Sequence, residues 1–571
     1  MKKNAELAGM FDRIADALEY KGELAFKVIA YRKAARALEE LTDDIELLAK
    51  QGKLRTIPGV GEGIAKKIDE YLATGKMKKF EEAMAEIPSG LLELLSVQNL
   101  GPKTLALAHQ ELGVNNREDL KRVIDNGSLA RLFRMGEKKV ENIKKGLEIF
   151  GKAQERISIA QALRTAEEVV TYLKGLAGVR QVEPSGSLRR MKETIGDIDI
   201  LVTGKNGTKI IEGFTRYPRA SRVLASGETK SSIMVGSGKN ALQVDIRVVP
   251  ASSFGAALQY FTGSKEHNVK LRSMARERGL KISEYGVFKG EKRIAGRTEE
   301  EVYKTLGLPW IPPELRENRG EIERALAGKL PVIVDYSDIR GDLHVHSRYS
   351  DGVSTIAEIA DQAKALGYNY VAICDHSQSV HYAGGLSEDK LKRQMDEIDT
   401  LNEKIKGITI LKGTEVDILK SGKLDFPDKL LEQLDVVVAA IHQSFKEKVT
   451  ERISAALSNP NVDIIAHPTG RVISRREGYV VDIEKVFEKA REYGKALELN
   501  AYYDRLDLNE LYLRKAKEAG IKISIGSDAH GALDLHWMRF GIGIARRGWL
   551  EKDDVLNTLS YKELKKTLTV K

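Results

Sequence analysis

Apolar and polar positions divide the chain into three regimes. Residues 1–150 read as helices only, joined by short turns and rich in lysine. From about residue 157 to 315 the pattern becomes α/β. A helix over Ile157–Leu173 precedes a strand over Val179–Glu183, a Gly-Ser turn, and strands over Asp197–Thr203 and Leu242–Val249. From Gly341 onward, short apolar strands alternate with amphipathic helices. The strands lie in GDLHVHS, YVAICDHS, ITILKGTEV, DVVVAAIHQ, DIIAHP, ALELN and KISIGSDAH. Seven such units predict a barrel of parallel strands, whose chemistry would sit at the strands' C-terminal ends. Glu317–Arg340 reads as a connector between the second and third regimes.

Within the helical region, IPGVGEGIAKKI (Ile57–Ile68) reads as helix, glycine hairpin, helix. Gly59, Gly61 and Gly63 allow backbone geometry that other residues resist. Amide groups at the start of the second helix can then face a phosphate, with Lys66 and Lys67 beside them. Val97–Val114, with Gly101 and Lys103, repeats the theme more weakly, and Met135–Ile143 offers a third, degenerate copy. The hairpins resemble the helix-hairpin-helix motif, which holds DNA backbones without reading sequence.

Composition adds bounds. At 571 residues several cores are needed. A net charge of +9 suits a polyanionic partner without demanding one. The single cysteine, Cys374, excludes an internal disulfide and a cysteine-based zinc site. The chain lacks an apolar run long enough for a membrane span, and it opens polar, without a signal-peptide core, so a cytoplasmic monomer is expected.

GSLRRMKETIGDIDIL (Gly186–Leu201) carries the first chemistry. Asp197 and Asp199 are two apart in a strand and therefore share a face, where they can grip divalent cations together. The Gly-Ser turn and the arginines behind it can hold a triphosphate. Asp245, alone among apolar neighbours, is the natural third carboxylate, because an unpaired acid in a strand is costly. Three carboxylates holding two cations suit nucleotidyl transfer. With YFTGSKEHNVKLR (Tyr260–Arg272) and the hairpins, residues from about 10 to 315 resemble a bacterial- or archaeal-type family X DNA polymerase. The resemblance implies that Asp197, Asp199 and Asp245 bind two Mg²⁺ ions, with Asp245 also activating the primer 3′-hydroxyl. It assigns Gly186, Ser187, Arg190, Gly196 and Arg156 to the triphosphate, and Tyr260, Phe261 and Gly263 to the nucleotide sugar. Asn268 would reach the minor-groove edge of the incoming base and Arg272 the template strand. Lys67 falls where such enzymes carry a Schiff-base lysine that removes 5′-deoxyribose phosphate. Lys27 and Tyr31 match that pocket, whereas Gly63 and Phe26 depart from it.

Most of the 10 histidines lie beyond residue 340, at the ends of successive barrel strands. Imidazole and carboxylate together suit Zn²⁺, Mn²⁺ or Fe²⁺. Residues 341–571 resemble the polymerase-and-histidinol-phosphatase (PHP) domain. That resemblance implies three metals: one held by His344, His346, Glu415 and Asp528; a second by Glu415, His442 and His467; a third by Asp351, His376 and His530. Mn²⁺ or Zn²⁺ would be the ions, and Arg471 is a candidate for the substrate phosphate; His381 and His536 fall outside the shell.

The expected architecture is therefore multidomain. It comprises an all-α helix-hairpin-helix region (1–90 and 91–150), an α/β nucleotidyltransferase palm (151–255) with a thumb-like subdomain (256–316), a linker (317–340), and a distorted (β/α)7 PHP barrel (341–571). The expected function is extension of a primer in gapped DNA with dNTPs. Removal of 3′-terminal nucleotides would accompany it, and the resemblance further implies action at abasic sites and blocked 3′ ends. Two readings compete: a barrel acting on a small phosphoester, and a DNA-end scaffold whose metals only stabilise the fold.

Overall fold

The computed structural model describes the chain except residues 1, 40, 42–44, 58, 86, 88–90, 93, 95, 96, 98, 99, 133, 134, 138, 145, 146, 148–155, 237–240, 474, 475, 477 and 569–571. It forms two compact units, Met1–Arg156 and Ile157–Lys571.

The first unit is helical. In α1 (Lys2–Tyr20), Leu7, Phe11, Ile14 and Leu18 recur at three- and four-residue spacing and are buried against α2 (Ala25–Glu39). Ile57 and Val60 of the first hairpin enter the same core, as do Ile64 and Ile68 of α3 (Glu62–Thr74). Of the three hairpin glycines only Gly59 takes a left-handed backbone, with φ +87°; Gly61 caps α3 in extended geometry and Gly63 lies in its first turn. The second hairpin leads through Gly101 into α4 (Pro102–Leu112), with proline at the first helical position where its missing N–H costs nothing. The side chain of Lys103 and several residues before Gly101 lie outside the described set. At the third copy, the amides of Lys139 and Val140 bond back to Gly136 O as a helical turn begins.

In the second unit, α5 (Ile159–Lys174) packs on a five-stranded sheet. Its strands are β1 (Val179–Pro184), β2 (Asp197–Gly204), β3 (Ala220–Ser226), β4 (Lys230–Val235) and β5 (Leu242–Val248). Their order is β1-β2-β5-β4-β3, with only β2 and β5 parallel. The Gly-Ser turn is a short helix, α6 (Gly186–Arg189). Beyond the sheet come α7 (Phe254–Thr262), α8 (Lys265–Glu277), a three-stranded antiparallel sheet and α9 (Glu299–Thr305).

Residues 317–340 are more than a spacer. Ile322 and Ala325 of α10 (Glu321–Leu326) share a core with Leu306, Leu315 and Trp549. Glu321 is fully buried 2.6 Å from His267 Nδ1. Alternating charge gives the segment the look of a connector, but Glu317 and Glu321 are spent on internal partners.

Seven parallel strands follow: β6 (Gly341–Val345), β7 (Tyr370–Ile373), β8 (Thr409–Asp417), β9 (Val436–Ala440), β10 (Ile464–Ile465), β11 (Ala496–Asn500) and β12 (Ile523–Gly526), paired in sequence order. The first and last meet, through Asp528 N–H to His344 O (2.9 Å) and His346 N–H to Ala529 O (2.8 Å), so the barrel closes as expected. One buried apolar cluster runs from Ile198 and Ile246 of the palm through Met191 to Val437, Ile525 and Ile542 of the barrel.

Candidate functional site

The first candidate site lies where β2 and β5 run parallel. Their register sets Asp199 directly beside Asp245, and Asp197 shares the face of Asp199 two residues earlier. Burial, then the charges of Asp197 and Asp245, push the Asp199 carboxyl up to about 7. Such a cluster repels itself unless a cation sits within it. Asp245 is partly compensated: Lys230 Nζ lies 3.2 Å from Oδ2, and Gln243 Nε2 donates to Oδ1 at 2.9 Å. Gly186 packs over this cluster with φ +65°, and a β-carbon there would sit 2.7 Å from Asp199 Oδ2. Ser185 N–H fixes the approach by donating to Asp199 O at 2.7 Å.

The two arginines behind the turn have different duties. Arg189 is committed to Glu299 through two 2.8 Å bonds and to Thr262 Oγ1. Arg190 donates Nε to Glu317 Oε1 at 3.0 Å and Nη1 to Thr262 O. Ser187 is half-buried on α6, and Gly196 immediately precedes β2. Tyr260 and Phe261 stand edge to face at 5.2 Å at the end of α7, with the Arg247 guanidinium 4.5 Å from the Phe261 ring. Gly263 terminates that helix with φ +70°. Asn268 is buried, accepting from Gln259 and donating to Tyr260 O at 2.7 Å each, whereas Arg272 is exposed on α8. Arg156 is exposed at the end of the first unit. In that unit Lys66 pairs with Glu62 at the surface, and Lys67 Nζ donates to Gly63 O at 2.8 Å, 5.9 Å from the Tyr31 ring. Burial, followed by the charge of Lys79, lowers the Lys67 pKa. Phe26 is exposed.

The second candidate site fills the C-terminal mouth of the barrel, around Glu415. Five imidazoles face this carboxylate: His376 Nδ1 at 2.8 Å, His467 Nε2 at 3.0 Å, His442 Nε2 at 3.2 Å, and His344 and His346 Nε2 at 3.7 Å. Asp528 Oδ1 lies 3.1 Å from His346 Nε2. Asp351 Oδ2 lies 3.3 Å from His530 Nε2 and 3.6 Å from His376 Nε2. Three groups can each bring their ligand atoms within 4.8 Å: His344, His346 and Asp528; His376, Glu415 and His442; and His346, Asp351, His376 and His530. His346 and His376 are thus shared in a way that the three expected sets did not foresee. The reason is geometric: the His346 ring stacks between those of His376 and His530, 4.4 Å from each.

The donor chemistry fits cations. His344 Nδ1 is fixed on Glu498 Oε1 at 2.6 Å, which leaves Nε2 as the inward lone pair; His530 Nδ1 is likewise occupied by Asp528 O at 2.9 Å. Burial lowers His346 to about 3, aided by the charges of His376 and His530, and lowers His467 to about 4, aided by Arg505. Both are therefore neutral, the ligating form, whereas neighbouring carboxylates outweigh burial and raise His344, His376, His442 and His530, whose protons a bound cation would displace. The buried Nδ1 atoms of His346 and His467 have no hydrogen-bond partner. His467 and Asp528 hold left-handed backbones, with φ +27° and +52°, a strain typical of functional positions.

Arg471 does not face this centre. Its guanidinium is bound to Glu193 of the palm and to Leu506 O. Arg505 does approach it, with Nε 3.6 Å from Asp528 Oδ2 and Nη1 buried without a hydrogen-bond partner. Sequence reasoning passed over Arg505, Glu498 and Asp417, the last accepting from His442 N–H at 2.9 Å. The position of Glu498 near the end of the ALELN strand was a usable signal.

Comparison with known proteins matches residues 2–77 to a helix-hairpin-helix domain and 91–148 to a SAM-like helix-hairpin-helix tandem. Residues 257–317 match the DNA polymerase beta thumb and 342–503 the PHP domain. The chain is 41% identical over 565 residues to the DNA polymerase/3′-5′ exonuclease PolX of Bacillus subtilis, covering 98% of each chain. A probable phosphatase of Thermoanaerobacter is 36% identical over 231 residues, 38% of this chain and 89% of the other. DNA polymerase lambda of Rattus norvegicus is 27% identical over 342 residues, 55% of this chain and 56% of the other.

Proposed function

The chain belongs to the PolX family of DNA polymerases that carry a C-terminal PHP domain, and on that footing we propose how its two acid clusters divide the work. The protein is a DNA polymerase and a 3′→5′ exonuclease, acting on DNA with dNTPs and divalent ions. The observation that carries this reading is that neither cluster lacks a member: Asp197, Asp199 and Asp245 converge under Gly186, and eight His and Asp side chains surround Glu415 or its neighbours in the barrel.

Divalent ions, when bound, offset the charge of the reacting phosphate and generate the attacking oxygen at either site. Asp197, Asp199 and Asp245 would hold two Mg²⁺ ions in the palm, and Asp245 would take the proton of the primer 3′-hydroxyl. Ser187 and Arg190 would orient the triphosphate, Tyr260, Phe261 and Gly263 the sugar, Asn268 the base and Arg272 the template. Arg156 and Gly196 would complete the triphosphate contacts. Asn268 would first have to release Tyr260 O. Gly59, Gly61, Gly63, Lys66, Gly101 and Lys103 would grip the DNA backbone without reading bases. In the barrel, the ligands around Glu415 would hold Mn²⁺ or Zn²⁺. We assign the scissile phosphate to Arg505 rather than Arg471, because the Arg505 guanidinium lies against the metal ligand Asp528 with Nη1 unpaired, whereas that of Arg471 is held by Glu193 and Leu506 O.

Incubation with 5′-labelled primer on gapped DNA tests this. Asp199→Ala should abolish lengthening with dNTPs and spare shortening without them; His344→Ala should do the reverse. If neither variant alters its product ladder, the division of labour fails. A second reading has its own support in the probable phosphatase, whose length the barrel covers almost completely. It assigns the barrel to phosphomonoesters, of which a 3′-phosphate on DNA is the form this chain would meet. Release of inorganic phosphate from 3′-phosphorylated primer, lost in His344→Ala, would support it.

A further inference from the structure

The palm turn behind the Gly-Ser helix is gripped from the barrel side at three places. The contacts come from α11 (Met538–Arg547), the helix that follows the last metal ligands, and from the loop after β10. Met191 is buried in a left-handed backbone, φ +54°. Its side chain lies on Gly543 of α11 so closely that a β-carbon there would be 2.4 Å from Met191 Cε and 3.1 Å from Met191 Cβ. Arg547 closes the helix with a side chain 0% exposed. Its Nη1 donates to the main-chain oxygen of Arg190 at 2.7 Å and to Glu317 Oε1 at 2.9 Å, and its Nη2 to Glu510 Oε1 at 2.9 Å. The third hold is the Arg471 guanidinium on Glu193.

One atom links these contacts to the polymerase chemistry. Glu317 Oε1 receives both Arg547 Nη1 and Arg190 Nε. A carboxylate held by a buried arginine cannot swing, so the Arg190 side chain bonded to it inherits a fixed orientation. The Arg190 carbonyl is anchored by the same guanidinium. A planar fork with several donors is the group suited to such a double hold. A contact meant only to dock two domains would not need to converge on both the main chain and the side chain of this one arginine.

We infer that α11 of the barrel is a working part of the nucleotide site, with Arg547 and Gly543 as positioning residues that preset Arg190 for the incoming triphosphate. This rests on the reading of Arg190 as a triphosphate ligand. The barrel thereby serves polymerisation without touching substrate there.

The test uses the full chain and single-nucleotide insertion into gapped DNA, measuring KM for dNTP and kcat separately, with degradation of single-stranded DNA as a control for barrel integrity. Arg190→Ala is the reference. Arg547→Ala should raise KM at least about tenfold, with kcat changed less and degradation unchanged, and Arg547→Lys should recover part of the loss. Gly543→Ala should raise KM by displacing Met191. If Arg190→Ala raises KM while Arg547→Ala and Gly543→Ala leave it unaltered, the inference falls and the role of Arg190 stands. If Arg190→Ala itself leaves KM unaltered, that role falls and takes the inference with it. Should Arg547→Ala lose both activities together, Gly543→Ala decides by the same criterion.

Discussion

Adding one methyl group at Gly186 probes the carboxylate cluster without touching a charge. The residue has φ +65°, and its β-carbon would come within 2.7 Å of Asp199 Oδ2, against the 3.4 Å or more of ordinary contact. Two costs follow. The left-handed backbone disfavours alanine by about 1–2 kcal/mol, which should appear as lost stability of about that size. Relief of the contact must move Asp199, because the turn is tied to β2 through Ser185 N–H and Asp199 O. The shift needed is several tenths of an ångström, and a misplacement approaching 1 Å at a reacting centre costs about a hundredfold in rate. Gly186→Ala should therefore lower kcat/KM for single-nucleotide insertion by roughly ten- to a hundredfold, while degradation of single-stranded DNA by the barrel continues at the wild-type rate. Pre-formed gapped DNA, one dNTP and a rapid-quench time course give the first number; the same preparation without dNTP gives the second. Insertion at the wild-type rate would refute the claim that this glycine sets the position of Asp199.

Other perturbations separate the remaining roles. Glu498→Gln weakens the hold on His344 Nδ1 and should reduce exonuclease rate or metal affinity about 10–100-fold, read by titrating Mn²⁺ against nucleotide release, with primer extension unaffected. Arg505→Ala should raise KM for single-stranded DNA degradation, whereas Arg471→Ala should not, and the reverse result would return the phosphate to Arg471. The Glu317 carboxyl is lowered from 4.5 to about 2, because Arg547 and Arg190 outweigh the opposing effect of burial. It therefore stabilises the fold fully above about pH 4.5, and that contribution of about 3 kcal/mol is lost as pH falls through about 2. Urea midpoints for Glu317→Gln should accordingly lose less between neutral and acid pH than those of the unaltered chain. The pKa of Lys67 is lowered by burial and Lys79, so its neutral fraction grows at lower pH than for a free lysine. Borohydride trapping on 5′-deoxyribose-phosphate DNA should then plateau below the ordinary lysine pKa and vanish in Lys67→Ala; trapping unchanged in that variant would remove Lys67 from the lyase role.

What was legible in the sequence was local in the chain or repeated by the fold. Asp197 and Asp199 announce a shared face because strand alternation is fixed at two residues, and the histidines are conspicuous because every barrel strand delivers its C-terminal end to the same mouth. What escaped depended on partners far apart in sequence. Arg471 looked like a free cation beside HPTG, but Glu193, 278 residues away, occupies it. Arg505 sits in a loop without a motif, and only the closed barrel brings it beside Asp528. Residues 317–340 read as a connector because their acids look solvated. Glu317 and Glu321 are instead consumed by Arg190, Arg547 and His267. Strand β3 is hidden in the sequence because it is largely exposed and lacks the apolar run that marks a strand; only its pairing with β4 in the folded sheet defines it.

The apolar cluster that passes without interruption from palm to barrel has a consequence for quality control. Two enzymes threaded on a flexible string can fail one at a time, and heat or mutation could then leave a copying machine whose eraser has melted. A shared interior removes that intermediate, since exposing the inner face of either half strips the other of its packing. Unfolding of either half should silence writing and erasing together, so that only changes confined to one set of site residues separate the two.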